Sequence, residues 1–245
     1  MMNPIDCHFH IGRWKEEEGL SSSLSDLSSL IESGCLGGAA VMTTDRLENE
    51  ALFEEIKGSE LENVHFFYWA VPGSRKDIDF IKSNDEVKGV KVHPSLAKKP
   101  LIDKGYRGIL EAAEEAGLPV YVHCGRWKEM SDYTFVLKAA GIHRNASFIV
   151  GHFGGKHPST WKGLIDDIEK GGHDNVYIDI SEMTEFMLAG RAVSRLGSER
   201  LLMGSDYPFS HPAMYIALVN ALDISDEEKE NILWRNITKL LKTKN

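Results

Sequence analysis

Short apolar runs rich in β-branched and aromatic residues recur along the chain, bounded by Gly or turn residues, and each is followed by a segment of helical periodicity. The strand-like runs read NPIDCHFH, GGAAVM, VHFFYWAV, VKGVKVH, LPVYVHC, SFIVGHF, NVYIDIS and RLLMGSD. The helical segments that follow them read LSDLSSLIESG, RLENEALFEEIKG, SRKDIDFIKSN, YRGILEAAEEAG, DYTFVLKAAG, WKGLIDDIEKGG, EFMLAGRAVSRLG and HPAMYIALVNAL. Several close on Gly, the usual left-handed stop after a helix. Strands alternating with helices at roughly thirty residues per unit predict an α/β protein whose parallel sheet closes as a (β/α)8 TIM barrel. The prediction is one domain over 1–245. A last stretch, SDEEKENILWRNITKLLK, starts with Ser and an acidic turn, carries Ile232, Leu233, Ile237, Leu240 and Leu241 at helical spacing, and ends basic. It predicts an additional C-terminal amphipathic helix docked on the barrel.

Polar residues interrupt this pattern at particular places. Barrels of this kind carry their sites at the C-terminal ends of the strands. His8 and His10 end the first run, His93 the fourth, His123 the fifth, His152 the sixth and Asp206 the eighth. Strict alternation places Asp6, His8 and His10 on one face of the first strand and Ile5, Cys7, Phe9 and Ile11 on the other. By itself D-x-H-x-H suits either a metal ion or a pair of hydrogen-bonded core histidines. Asp6 lies one layer deeper and is read as orienting a ligand. The same alternation turns Lys91 and His93 inward, with Tyr121 and His123, and with Tyr177, Asp179 and Ser181. A buried lysine needs a partner, neutralisation or modification.

The other histidines differ. His65 opens its strand, and His143 and His173 lie in helix-to-strand loops, all on the far face. His157 and His211 follow the sixth and eighth strands in polar loops that suit solvated side chains. Just beyond the strands, Arg13 and Trp14 on one side and Arg126 and Trp127 on the other repeat an Arg-Trp pairing. An arginine there suits a substrate carboxylate and a tryptophan suits a pocket wall, though an Arg stem packed on Trp explains each pair equally well. Together they point to an anionic, partly apolar small molecule.

Composition narrows the classes. With 245 residues, 42% hydrophobic and 27% charged, the chain is ordinary for a globular protein. A net charge of -9 without a basic cluster disfavours nucleic acid. Neither a membrane span nor a signal-peptide core is evident, so a cytoplasmic protein is expected. The three cysteines, Cys7, Cys35 and Cys124, form no C-x-x-C and are read as reduced packing residues, Cys7 facing outward. The chain is compatible with a homo-oligomer.

Taken in order, DCHFH, GVKVHP, VYVHCG, IVGHFGG and LLMGSDYPF resemble the amidohydrolase superfamily over the whole chain. The nearest likeness is the amidohydrolase-related branch (amidohydrolase family 2) that includes small metal-dependent hydrolases and aminocarboxymuconate-semialdehyde-type decarboxylases. The resemblance implies that His8, His10, His123 and Asp206 bind one divalent metal, zinc first and manganese second, with His152 beside the activated water as hydrogen-bond partner or proton shuttle. It implies water attack on a small cyclic ester or amide, Asp206 passing the proton to the leaving group, or alternatively metal-dependent non-oxidative decarboxylation of an unsaturated or aromatic acid. His93 falls at the substrate side. Binuclear members bridge two metals through a carboxylated lysine; Lys91 is on that strand but two residues short of its end, which favours one metal and a buried charge at Lys91, with a second metal as the alternative. A TatD-like deoxyribonuclease shares the barrel and opening motif, but the strand-end glutamate that it calls for is not found.

Overall fold

The computed structural model describes residues 4–14, 19–125 and 128–242. The strands are β1 (Ile5–Arg13), β2 (Ser21–Ser22), β3 (Gly38–Thr43), β4 (Val64–Trp69), β5 (Val87–Val92), β6 (Val120–Val122), β7 (Phe148–Val150), β8 (Val176–Asp179) and β9 (Leu201–Leu202). They form a curled, mostly parallel nine-stranded sheet in the order β2-β1-β3-β4-β5-β6-β7-β8-β9, with helices between successive parallel strands. Only β2 is antiparallel, folding back on the end of β1. The backbone after β9 returns to β1: Cys7 N–H donates to the Met203 carbonyl at 2.8 Å, Asp206 N–H to His8 at 2.9 Å, and His10 N–H to Tyr207 at 3.1 Å.

Both faces of the parallel strands are covered, which is why they read as nearly continuous apolar runs. Val41, Phe66, Val90, Val122, Val150 and Ile178 pack outward against the helices. Ala40, Met42, Phe67, Tyr121, Ile149 and Leu202 fill the concave side. The chain end caps that inner core. Ser225 and Glu228 make a capping box before Asp226–Glu230, the backbone widens to a π-turn over Asn231–Arg235, and Asn236–Leu241 follows. Within the widened turn the Ile232 carbonyl accepts Met203 N–H at 2.9 Å, a bond to the segment after β9. Ile237, Leu240 and Leu241 then join Ile5 at the base of the inner core.

The strict alternation expected of β1 fails. Asp6 pairs with Ala39 but Phe9 with Val41, so Cys7 and His8 together oppose Ala40 in a β-bulge. Cys7 therefore packs inward with Ile5, Ala40 and Tyr121 rather than outward, and His8 still faces the interior one residue later. Asp6 is displaced from the histidine face. Its carboxylate accepts His8 N–H at 2.9 Å, Ser205 N–H at 3.0 Å and Ser205 Oγ–H at 2.5 Å. It holds backbone to backbone at the bulge and orients no imidazole ring. Burial pushes its carboxyl up to about 7.

Among the described residues, no helix is long and apolar enough to cross a membrane.

Candidate metal centre and cleft

At the C-terminal ends of the strands lies a cleft of about 950 Å³, and the strand-end histidines line its floor. His8 is fully buried and His10 nearly so. Their Nε2 atoms stand 3.0 Å apart, and Asp206 Oδ1 is 3.2 Å from the first and 3.3 Å from the second. His10 Nδ1 lies 3.0 Å from the Thr43 carbonyl, which can only accept, so the ring proton is on Nδ1 and the Nε2 lone pair is bare. Burial, then the nearby Lys91, lowers His10 to about 3. Burial, then Lys91 and His10, holds His8 well below the usual imidazole range. Neutral imidazoles and a carboxylate oxygen aimed at one point repel one another unless a cation answers them.

That convergence suits a metal ion. Two donors each about 2.1 Å from a tetrahedral ion stand about 3.4 Å apart, close to the three separations here. Among the described residues, His8, His10 and Asp206 form one set of donors within 4.8 Å of one another, His152, Glu182 and Asp206 a second, and His8, His152 and Asp179 a third. His123 belongs to none of them. Its ring stacks on His93 at 3.8 Å, its Nδ1 meets His152 Nε2 at 3.0 Å, and its buried Nε2 has no hydrogen-bond partner among the described residues. Among the described residues the cation at the floor is Lys91, fully buried, with Nζ 3.2 Å from His8 Nε2 and 4.1 Å above the Tyr121 ring. Burial lowers this ammonium and raises the Asp206 carboxyl.

Several of these side chains stand on strained backbone. His152, Phe153, Glu182 and Asp206 have φ of 53°, 50°, 60° and 57°, in the left-handed region. Such conformations cost about 1–3 kcal/mol each and persist where the surroundings hold them. At Glu182 the Tyr215 hydroxyl accepts the backbone N–H at 2.7 Å; at Asp206 the N–H is held by the His8 carbonyl.

The cleft's rim is largely cationic despite the acidic chain. Arg13, Arg46 and Lys99 line it, and Lys156 pairs with Glu182 at 2.7 Å. Aromatic walls face one another: Trp14 meets His10 and Phe209 edge-on, and Trp69 stacks on His93. Arg126 and Trp127, the other expected rim pair, lie outside the described residues. His157 and His211 cap helices through Nδ1, accepting Ser159 and Ala213 backbone N–H, each before a Pro. His65 sits on the far face, and His143 bonds Glu114 at 2.9 Å.

Sequence reasoning missed Thr43, Arg46, Lys99, Lys156 and Glu182. Thr43 offers only a carbonyl, which no side-chain pattern could reveal. Glu182 was findable, as the residue that follows the inward-facing Asp179 and Ser181 at a strand's end.

A curled, mostly parallel sheet with histidines and a carboxylate gathered at its strand ends is a TIM-like α/β arrangement whose donors suit a metal ion. The amidohydrolase family model matches residues 5–243, and the chain belongs to that family. No curated protein matches the sequence significantly. Among solved structures, a candidate 2-pyrone-4,6-dicarboxylic acid hydrolase of Pseudomonas putida is similar at TM-score 0.77 and 16% identity, covering 98% of each chain. A 5-carboxyvanillate decarboxylase of Sphingomonas paucimobilis reaches 0.79 at 12% identity, covering 100% of each. A dihydroxybenzoic acid decarboxylase of Polaromonas, solved with manganese and 2-nitroresorcinol, reaches 0.74 at 13%, covering 98% of this chain and 97% of its own. At these identities the likeness is one of fold.

Proposed function

We propose that the chain is a metal-dependent hydrolase, a single (β/α)8 barrel closed by its C-terminal helix, that opens a small cyclic ester or amide bearing a carboxylate. The observation that carries this reading is the convergence of His8 Nε2, His10 Nε2 and Asp206 Oδ1 within 3.3 Å of one another on the floor of a cation-rimmed cleft. These three residues would hold one divalent ion, zinc or manganese, and His123, whose Nε2 has no partner among the described residues, would be the fourth donor. When bound, such an ion supplies Lewis acidity and brings the pKa of water towards about 7.

The protein's own groups do the rest. Asp206 keeps Oδ1 toward the imidazoles, which leaves Oδ2 to take the proton of the attacking water and deliver it to the leaving oxygen or nitrogen. His152 Nδ1 stands 3.9 Å from that Oδ2, and both its ring nitrogens are engaged, which suits holding the proton path rather than meeting the substrate oxyanion. Lys91 stays a buried positive charge beside His8. Arg13, Arg46 and Lys99 draw a substrate carboxylate to the mouth, and His93 and Trp14 wall the pocket; Arg126 and Trp127 keep the substrate-binding role that the sequence proposes for them.

The stacked series Trp69, His93 and His123 favours a second reading, since it lines the cleft with aromatic rings against which a planar acid packs. The same site would then decarboxylate an unsaturated or aromatic acid, as the names of two of the similar structures suggest.

The test is elemental analysis of the purified protein, native and as His10→Ala and His123→Ala, followed by turnover assays on lactones, cyclic amides and aromatic acids. Near one equivalent of zinc or manganese, lost in the variants, is expected. Hydrolysis abolished by Asp206→Asn with the fold intact supports the first reading, and carbon dioxide release supports the second. No metal bound after reconstitution overturns both.

A further inference from the structure

One carboxylate lies behind the histidines, and neither proposed reaction uses it. Asp179, at the end of β8, is fully buried. Its Oδ2 accepts the Tyr121 hydroxyl at 2.6 Å and the Ser181 hydroxyl at 2.5 Å, and its Oδ1 accepts Ser181 N–H at 2.8 Å. A carboxylate only accepts, so Tyr121 and Ser181 each spend their single proton on it, and their oxygens are then left to accept. Tyr121 Oη lies 2.7 Å from His8 Nδ1, and Ser181 Oγ lies 3.1 Å from His152 Nδ1. Both rings must therefore carry their proton on Nδ1. With Nδ1 protonated, His152 Nε2 can only accept, and the atom facing it at 3.0 Å is His123 Nδ1. That ring is protonated on Nδ1 as well.

We propose that Asp179 is the positioning residue that sets the tautomer of three histidines, directing the proton to Nδ1 of His8 through Tyr121, and of His152 and then His123 through Ser181. The consequence falls on the opposite side of each ring. His8 Nε2 is left bare where it faces His10 Nε2, Asp206 Oδ1 and the Lys91 ammonium, a donor that requires a bare nitrogen. His123 Nε2 is left bare, without a partner among the described residues. A single acceptor thus keeps lone pairs exposed on two strands far apart in sequence, which is what ligation requires. His10 is set separately, by the Thr43 carbonyl, and serves as an internal control.

Long-range 1H–15N correlation spectra of the metal-free protein read which ring nitrogen is protonated. In the native protein His8, His10, His123 and His152 are expected to be protonated on Nδ1 alone. Asp179→Asn can donate as well as accept, so His8, His123 and His152 should lose that signature while His10 keeps it. Ser181→Ala should alter His152 and His123 and leave His8, which has its own branch. A merely structural role would not sort the rings this way. Zinc affinity, read by chelator competition, should fall about 10- to 100-fold in Asp179→Asn. This arm alone rests on the proposed metal centre, so unchanged affinity with the expected tautomers would count against the metal and not the relay. An Nε2 proton on native His8, His123 or His152, or one pattern of change shared by all four rings, overturns the proposal, and the native spectrum decides even if a variant fails to fold.

Discussion

Gly204 is where the sheet's last segment passes closest to the buried carboxylate, and replacing it with Ala tests that packing directly. A Cβ at this position would stand 2.9 Å from Asp179 Cγ and 2.9 Å from Cys7 Sγ, closer than carbon side chains come, and closer still to Asp179 Oδ1. With about 3.5 Å as a comfortable carbon contact, the carboxylate must retreat by at least about 0.6 Å. It has nowhere to go, because Asp179 and Cys7 are fully buried and Tyr121 and Ser181 hold Oδ2. Overpacking costs about 1–3 kcal/mol, and a loosened buried hydrogen bond about 1–3 kcal/mol more. Near the low middle of that sum, about 3 kcal/mol, the Tm of a chain this size falls by roughly 6–12 °C. Scanning calorimetry of Gly204→Ala against the native protein reads this. The double-mutant cycle sharpens it: in an Asp179→Ala background the same change should cost about 1–2 kcal/mol less, because the carboxylate clash is gone and only the Cys7 Sγ contact remains. A Tm within about 2 °C of native, or an equal cost in both backgrounds, would refute the argument that Asp179 is wedged against this glycine.

Two further outcomes follow from the structure. Gly141 lies exposed in the helix Tyr133–Ile142 with open space where a Cβ would sit, so Gly141→Ala should raise stability by about 0.5–1 kcal/mol in the same scans, and a lower Tm would contradict that placement. His65 opens β4, and burial, then Lys88, lowers it from 6.5 to about 4. The unfolded imidazole takes up a proton as pH falls through about 6.5 while the folded one waits until about 4, so stability is full above that window and drops across it. The loss is about 2 kcal/mol after allowing for partial exposure, and denaturant titrations from pH 7 to 4 should show His65→Gln lacking it.

The periodicities were enough to place most elements. Apolar runs at VHFFYW and VKGVKV became β4 and β5, and YRGILEAAEEAG became a helix over Arg107–Ala116 ending on a left-handed Gly117. They also placed His8, His10, His123, His152 and Asp206 at one end of the sheet, where the cleft lies. These are properties of short stretches, since strand and helix periods and the end of a run are written in neighbouring residues. The β1 bulge is not, because register is decided by the partner strand, and one extra residue turned Cys7 inward and moved Asp6 onto the Ser205 backbone N–H and hydroxyl. Nor were the roles of inward-facing groups legible. Asp179 could be read as interior, but its bonds run to Tyr121, 58 residues away, and through it to His8 at the start of the chain. Which atom donates and which accepts depends on distances of a few tenths of an ångström between distant segments. Local sequence determined that imidazoles and carboxylates gather at this end of the sheet; only tertiary packing decided their partners, and with them which lone pairs stand bare.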